Sequence, residues 1–215
     1  MMETNDSILL TLAGRGETEY EEKKSVFLGL ALPVHSEEEA LEHVRKRREE
    51  MPDATHHVYA YVLDHGIRVR YSDDGEPQGT AGMPVLDCIR KTGLDNVLVV
   101  VTRYFGGTLL GAGGLVRAYA KCAKMAIDAA GVASYVPFTE FSMELNYADY
   151  QRCQTEFGQA GAIIDSVDFA QNITVKGAVR QTAFSAFAGR IAELTAGRTK
   201  PLQTGGRLDV LSENR

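Results

Sequence analysis

Cysteine is scarce, and its spacing pairs nothing. Cys88, Cys122 and Cys153 stand far apart, their number is odd, and no two form a CxxC pair. That argues against a disulfide framework or a structural zinc site and fits a reducing compartment. Long apolar runs are also missing. The longest strongly apolar stretch, residues 97–101, falls far short of the roughly 20 residues a membrane helix needs. The start of the chain, residues 1–6, is acidic and polar and reads as no signal peptide. Catalytic signatures are lacking too: there is no GxSxG, HExxH or Cys–His pattern. No Lys follows a glycine in Walker A register, and Gly111-Ala112-Gly113 continues as Gly114-Leu115-Val116, so the dinucleotide fingerprint fails. The expectation is a cytoplasmic protein with no membrane partner, no cofactor and no bound metal, and with binding favoured over catalysis.

With 44% hydrophobic and 24% charged residues in 215 positions, the chain can bury a core without staples. Its net charge of -6 resides entirely in residues 1–57. The neutral remainder clusters its bases. Arg103, Arg117, Lys121 and Lys124 occur between Asn96 and Ile127 with no acid among them. Lys176, Arg180, Arg190, Arg198, Lys200 and Arg207 face only Glu193 between Phe169 and Leu208. Such zones are either solvated faces or sites for a specific anionic partner.

Along the chain, residues 20–34 are β-rich. Ser36 three residues before Glu39 is a capping-box pattern, and a helix follows to about Glu50. Residues 57–63 and 67–71 alternate around Asp64-His65-Gly66 and read as a hairpin. A short helix is expected over 84–91, a buried strand over 97–101, a Gly-rich loop over 105–114 and a helix from Leu115 to about Ala130. Residues 132–137 read as a linker. Beyond it come a strand at 138–145, a helix at 148–159, strands at 163–170 and 173–179, a helix at 181–196 and a strand near 207–211. That is the β-α-β-β-α-β order of a ferredoxin-like domain. The domain boundaries are therefore set at 1–132 and 138–215.

Two stretches carry the candidate chemistry. One is SDDGEPQGTAGMP, residues 72–84. Its Asp73, Asp74 and Glu76 are oxygen donors suited to a hard cation or, equally, organisers of turns. His56 and His57 begin a strand and point to opposite faces, so one of them either lines a site beside Asp73 or is a satisfied structural histidine. Asp73, Asp74, Glu76 and His56 form the second candidate site. The first candidate site is TRYFGGTLLGAGGLVRAY, residues 102–119. Gly106, Gly107, Gly111, Gly113 and Gly114 free the backbone for close approach, and successive amides at a helix start suit a phosphate. Arg103 and Arg117 bracket the loop with forked donors, and Tyr104 sits beside them. Arg117, Lys121 and Lys124 share one helix face, with Leu115, Tyr119, Cys122 and Ala126 on the adjoining apolar face. The alternative use of the glycines is tight helix–sheet packing. Four phosphate contacts would give a log–log salt slope of about -3 to -4.

The run SDDGEPQGTAGMP followed by NVLVVVTRYFGGTLLGAGGLVRAYAK resembles the signature of the IMPACT family, in its bacterial YigZ-like branch. The resemblance extends to Lys23-Lys24-Ser25, to PVHSEEEA at 33–40 and to PDATH at 52–56. Val58 departs from the family, whose members often have cysteine there, which weakens any thiol mechanism at that place. The resemblance implies an α+β fold of two domains. The N-terminal one would be similar to the second domain of ribosomal protein S-five and to domain IV of elongation factor G. The C-terminal one would be ferredoxin-like, similar to domain V of that factor. The resemblance also implies a translation-linked stress-response regulator. The eukaryotic relatives' extra N-terminal domain has no room here, so its kinase-activator partner is not carried over.

The leading expectation is thus a module that binds RNA, the ribosome or a translation factor through the surface from Arg103 to Lys124. The alternative is an enzyme acting on a small phosphorylated substrate, with a metal held by Asp73, Asp74 and Glu76. A third reading has the acidic first helix binding another protein. Lys176-Gly177-Ala178-Val179 lacks the stacking aromatics of an RNA-recognition motif, so no RNA stacking is assigned to that sheet.

Overall fold

A computed structural model describes residues 9–210. The acidic start at residues 1–6 and the expected strand end at Leu211 lie outside the described residues. The chain divides into two compact units, Leu9–Ser134 and a second that begins at Tyr135.

The first unit runs β1 (Leu9–Leu12), β2 (Gly16–Glu22), β3 (Ser25–Pro33), α1 (Glu37–Glu50), β4 (His56–Leu63), β5 (Arg68–Ser72), α2 (Gly82–Thr92), β6 (Val97–Tyr104) and α3 (Ala112–Ala130). Five strands form one sheet in the order β2-β3-β6-β4-β5, every neighbouring pair antiparallel. Both faces of this sheet are covered, which explains the continuous branched run of β6. Val97, Val99 and Val101 pack with α2 and α3 through Val85, Leu86, Ile89, Tyr119 and Cys122. Leu98 and Val100 pack on the other face with Ala40 and Val44 of α1. The same period of two carries polar residues to defined faces at the end of the sheet. Arg103 continues the odd set of β6 toward α3, and Thr102 the even set toward α1. On β4, His56 goes with the first face and His57 with the second, as their adjacency implies.

Local signals explain most boundaries. Ser36 caps α1 by accepting the Glu39 N–H (3.2 Å), while Glu39 reaches back to the His35 N–H (2.7 Å). Gly93, at φ 68°, ends α2. Three expectations need correction. The β-rich stretch 20–34 is the later part of a hairpin whose turn, Lys23-Lys24, is left-handed at both residues (φ 47° and 66°). No glycine or asparagine announces that turn. The loop expected to last until Gly114 ends at Gly111, so Gly113 and Gly114 belong to the first turn of α3. Residues 132–137, expected as a linker, are the beginning of a continuous strand, β7 (Val132–Leu145).

The second unit continues with α4 (Tyr147–Gln159), β8 (Ile163–Phe169), β9 (Ile173–Arg180), a 3-10 turn at Gln181–Ala183, α5 (Phe184–Leu194) and β10 (Leu202–Val210). The last helix is therefore shorter than the expected 181–196, and the last strand begins before Arg207. Its strands lie in the order β10-β7-β9-β8, all antiparallel. Fourth, first, third, second is the ferredoxin-like arrangement. Phe141, Met143, Cys153, Phe157, Phe187 and Ile191 fill its core. The buried Asp149 is clasped by both arms of Arg198 (3.0 and 2.7 Å), and this guanidinium holds its carboxyl below the ordinary carboxylate value. The whole is a mixed α/β chain of two domains. Among the described residues, no helix is long and apolar enough to cross a membrane.

Candidate functional site

The end of β6 places Arg103 in the core rather than at the loop surface. Its side chain is 5% exposed. Nη1 donates to Glu76 Oε1 at 2.6 Å and Nη2 to Ser25 Oγ at 3.1 Å. Its guanidinium carbon lies 5.3 Å from the Phe27 ring centre and 5.5 Å from that of Phe105. Nε is buried and finds no partner among the described residues, a cost of about 1–3 kcal/mol. Arg103 is therefore a strut, and its expected role as a forked phosphate donor is corrected. The parity of its strand, which continues Val97, Val99 and Val101, dictates this. Tyr104 alternates to the opposite face and leaves the group.

Glu76 is the hub of this buried cluster, its side chain 4% exposed. Oε1 also accepts the Tyr119 hydroxyl at 2.8 Å, and the burial and the nearby carboxylate push that phenol well above its ordinary value. His56 Nε2 stands 3.7 Å from the same oxygen, an ion pair when the ring is protonated. The His56 Nδ1 lies 2.8 Å from the Asp74 carbonyl. Tyr119 came into the sequence reading only as an apolar face residue. Tyr119 stands 43 positions from Glu76, which puts their contact beyond any local spacing.

Asp73 and Asp74 serve the backbone. Asp73 accepts from the N–H groups of Gly79 (2.8 Å), Ala81 (3.1 Å) and Gly82 (2.8 Å). Asp74 accepts from the His57 N–H (2.6 Å) and from Arg48 (2.5 Å). Their carboxylates organise the turns of the segment, and among the described residues no three His, Cys, Asp or Glu side chains are placed to hold the metal of the enzyme alternative. Val58 is fully buried in the core.

The glycines divide by task. A Cβ on Gly106 would stand 2.0 Å from the Lys24 carbonyl, so this residue permits close backbone approach. Gly107 and Gly111 take φ of 79° and 74°. Gly111 is the N-cap of α3 and offers no side-chain acceptor. The Leu115 N–H bonds to the Gly111 carbonyl, whereas the first-turn amides of Ala112, Gly113 and Gly114 meet no acceptor among the described residues. The glycines of this run thus serve different backbone needs: close approach at Gly106 and a positive φ at Gly107 and Gly111.

Two concavities flank this helix start and share Leu110 as a wall. One, about 220 Å³, is lined by Tyr20, Glu22 and Lys23 of the hairpin and by Gly114, Arg117 and Lys121 of α3. Lys121 Nζ sits 4.1 Å above the Tyr20 ring, and Tyr20 bonds to Glu22 (2.5 Å). Lys124 lies a turn further along and pairs with Asp128. The other, about 390 Å³, has Glu76, His56 and Arg103 at its polar end and Phe105, Leu109, Leu110, Leu115 and Pro77 as apolar walls, with Gly111 and Ala112 at the helix start. Lys23 and Tyr20 were missed as site residues because only the sheet register brings the β2–β3 turn to α3. The C-terminal basic zone contributes less than its composition suggests. Arg190 pairs with Glu193, Arg198 with Asp149, and Arg207 with Asp165.

Residues 23–127 match the Impact N-terminal domain, and residues 143–198 match a domain of unknown function (DUF1949). IMPACT family member YvyE of Bacillus subtilis is 33% identical over 190 residues, 88% of each chain. YigZ of Escherichia coli K12 is 33% identical over 178 residues, 81% of this chain and 87% of that one. The crystal structure of a hypothetical protein superposes with a TM-score of 0.60 at 30% identity, covering 92% of this chain and 97% of the other. The chain belongs to the IMPACT family, in its bacterial YigZ-like branch.

Proposed function

We propose that this chain is a translation-linked binding module that takes RNA, free or within the ribosome, on the surface formed by Lys23, Arg117 and Lys121. The observation that carries the reading is the juxtaposition of these three cations, with Glu22 as the one acid, beside the open first-turn amides of a 19-residue helix. Glu22 accepts from the Tyr20 hydroxyl, and among the described residues no ion pair engages Lys23, Arg117 or Lys121. Compared with the expected surface, Arg103 drops out, Lys124 recedes and Lys23 enters. Membership of the IMPACT family, whose resemblance implies a translation-linked role, supports this partner, as does a cytoplasmic location, which three free thiols favour.

A translation factor is the neighbouring alternative. The enzyme reading keeps one observation in its favour: Glu76, His56 and Arg103 converge with the glycine loop on one concave pocket. It loses its metal, because Asp73 and Asp74 are engaged, and Arg117 lines the other concavity. The acidic-helix reading rests on acids that are already paired, Glu37 with Arg70 and Glu42 with Arg45.

Ultraviolet cross-linking in cells, followed by peptide mapping, tests the proposal. RNA attached to peptides containing Tyr20 or Phe105 is the expected result. Cross-links to protein alone, or RNA attached only to the second domain, would displace it.

A further inference from the structure

We infer that the larger pocket beside α3 accepts a nucleobase of the same strand whose phosphate rests on Lys23, Arg117 and Lys121. This inference rests on the phosphate reading above and adds base recognition to it. The pocket has the chemistry of a flat, mostly apolar ligand with one polar edge. Its mouth exposes Phe105 (46%) and Leu109 (82%). These are large apolar groups on a loop, placed where a planar ring can stack. Its floor carries a buried carboxylate with unfilled accepting capacity. Glu76 Oε1 takes bonds from Arg103 and Tyr119, whereas Oε2 takes none among the described residues. A pure hydrocarbon would bury that oxygen unpaired, so the pocket selects a ligand that donates an N–H.

The neighbouring concavity decides between ligand classes. The two share the Leu110 wall, and the second is cationic. A partner protein's Lys or Arg side chain would satisfy Glu76 but would bring a cation beside Lys23, Arg117 and Lys121. A nucleotide satisfies both at once, its base donating to Glu76 and its phosphate meeting the cations. The single free oxygen also sets a preference. Cytosine, adenine and guanine present an exocyclic amino group. Uracil presents one N–H flanked by two carbonyls that would face the carboxylate. Uridine should therefore bind about tenfold more weakly than cytidine.

Nucleosides lack phosphate and so interrogate this pocket alone. Titrate cytidine, adenosine and uridine into the full chain and follow backbone amide resonances. The expected result is shifts at Phe105, Leu109 and Ala112, with uridine weakest, and loss of binding in Phe105→Ala and in Leu109→Ser. Both side chains are exposed, so these variants keep the fold. In parallel, titrate a short single-stranded RNA across a salt series, which reports the phosphate surface. Absent nucleoside shifts, equal binding of cytidine and uridine, or binding unchanged in both variants would overturn the base pocket even where the RNA binds with full salt sensitivity. Nucleoside binding without salt-sensitive RNA binding would overturn the shared-strand claim together with the phosphate reading.

Discussion

Glu76 and Arg103 show what burial does to charged residues. Each is almost fully enclosed, and each has the other at 2.6 Å. Removing one partner leaves the other charge buried, which costs about 3–5 kcal/mol. Glu76→Ala should therefore lower the urea midpoint steeply, whereas Arg117→Ala, an exposed side chain, should stay within about 0.5 kcal/mol of the parent. Equal effects in the two variants would contradict the assignment of strut and ligand. A second residue makes a prediction about pH. His57 is buried against Thr102 (3.1 Å), and burial, reinforced by the charge of Arg48, lowers its imidazole below the ordinary 6.5. The unfolded chain then binds a proton that the folded chain resists. Its contribution to stability is fully present above pH 6.5 and is lost as pH falls from there toward the folded value. His57→Asn should flatten the loss of stability between about pH 7 and pH 5.5 in urea titrations. An unchanged slope would place the titration elsewhere.

At the scale of the element, two glycines of the Gly-rich run, one in the loop and one in α3, should respond in opposite directions. Gly106→Ala drives a methyl group into the Lys24 backbone and should cost about 1–3 kcal/mol or more. Gly113→Ala, in the first turn of α3 with open space beyond the Arg117 side chain, should raise stability by about 0.5–1 kcal/mol. Thermal melts of the pair check both signs. The same contrast marks what the sequence made legible. α1 was readable because Ser36, Glu39 and the terminal arginines are local signals of a helix start and end. The β4–β5 hairpin was readable from Asp64-His65-Gly66 and the alternation around it. The second unit was readable from its order of elements. The Lys23-Lys24 turn was not, since neither residue advertises a left-handed backbone. Nor was the start of α3, because glycines argue for a loop until the helix is seen to include them. The candidate site was half legible. Arg117, Lys121 and Gly111, grouped by their proximity in sequence, do line the concavities at the start of α3. Arg103 was misplaced because a period of two decides whether a strand residue faces the loop or the core, and the extension of β6 to Tyr104 was not visible. Tyr119, Lys23 and Tyr20 join the site through sheet register and helix packing, which spacing alone does not encode.

At the scale of the whole molecule, the net charge of -6 opposes polyanions. Any attraction to RNA must be local and strongly salt-dependent. Counting Arg103 and Lys124 gave four phosphate contacts. The structure leaves Lys23, Arg117 and Lys121 as the contacts at the helix start, and three contacts to a single strand give a log–log salt slope of about -2. The most direct test is the affinity of a short single-stranded RNA across a salt series, for the parent and for the double variant Arg117→Ala/Lys121→Ala. The account predicts a slope near -2 in the parent, reduced by about 1.4 in the variant, with unfolding midpoints unchanged. A parent that binds without salt dependence, or a variant whose slope matches the parent's, would contradict it.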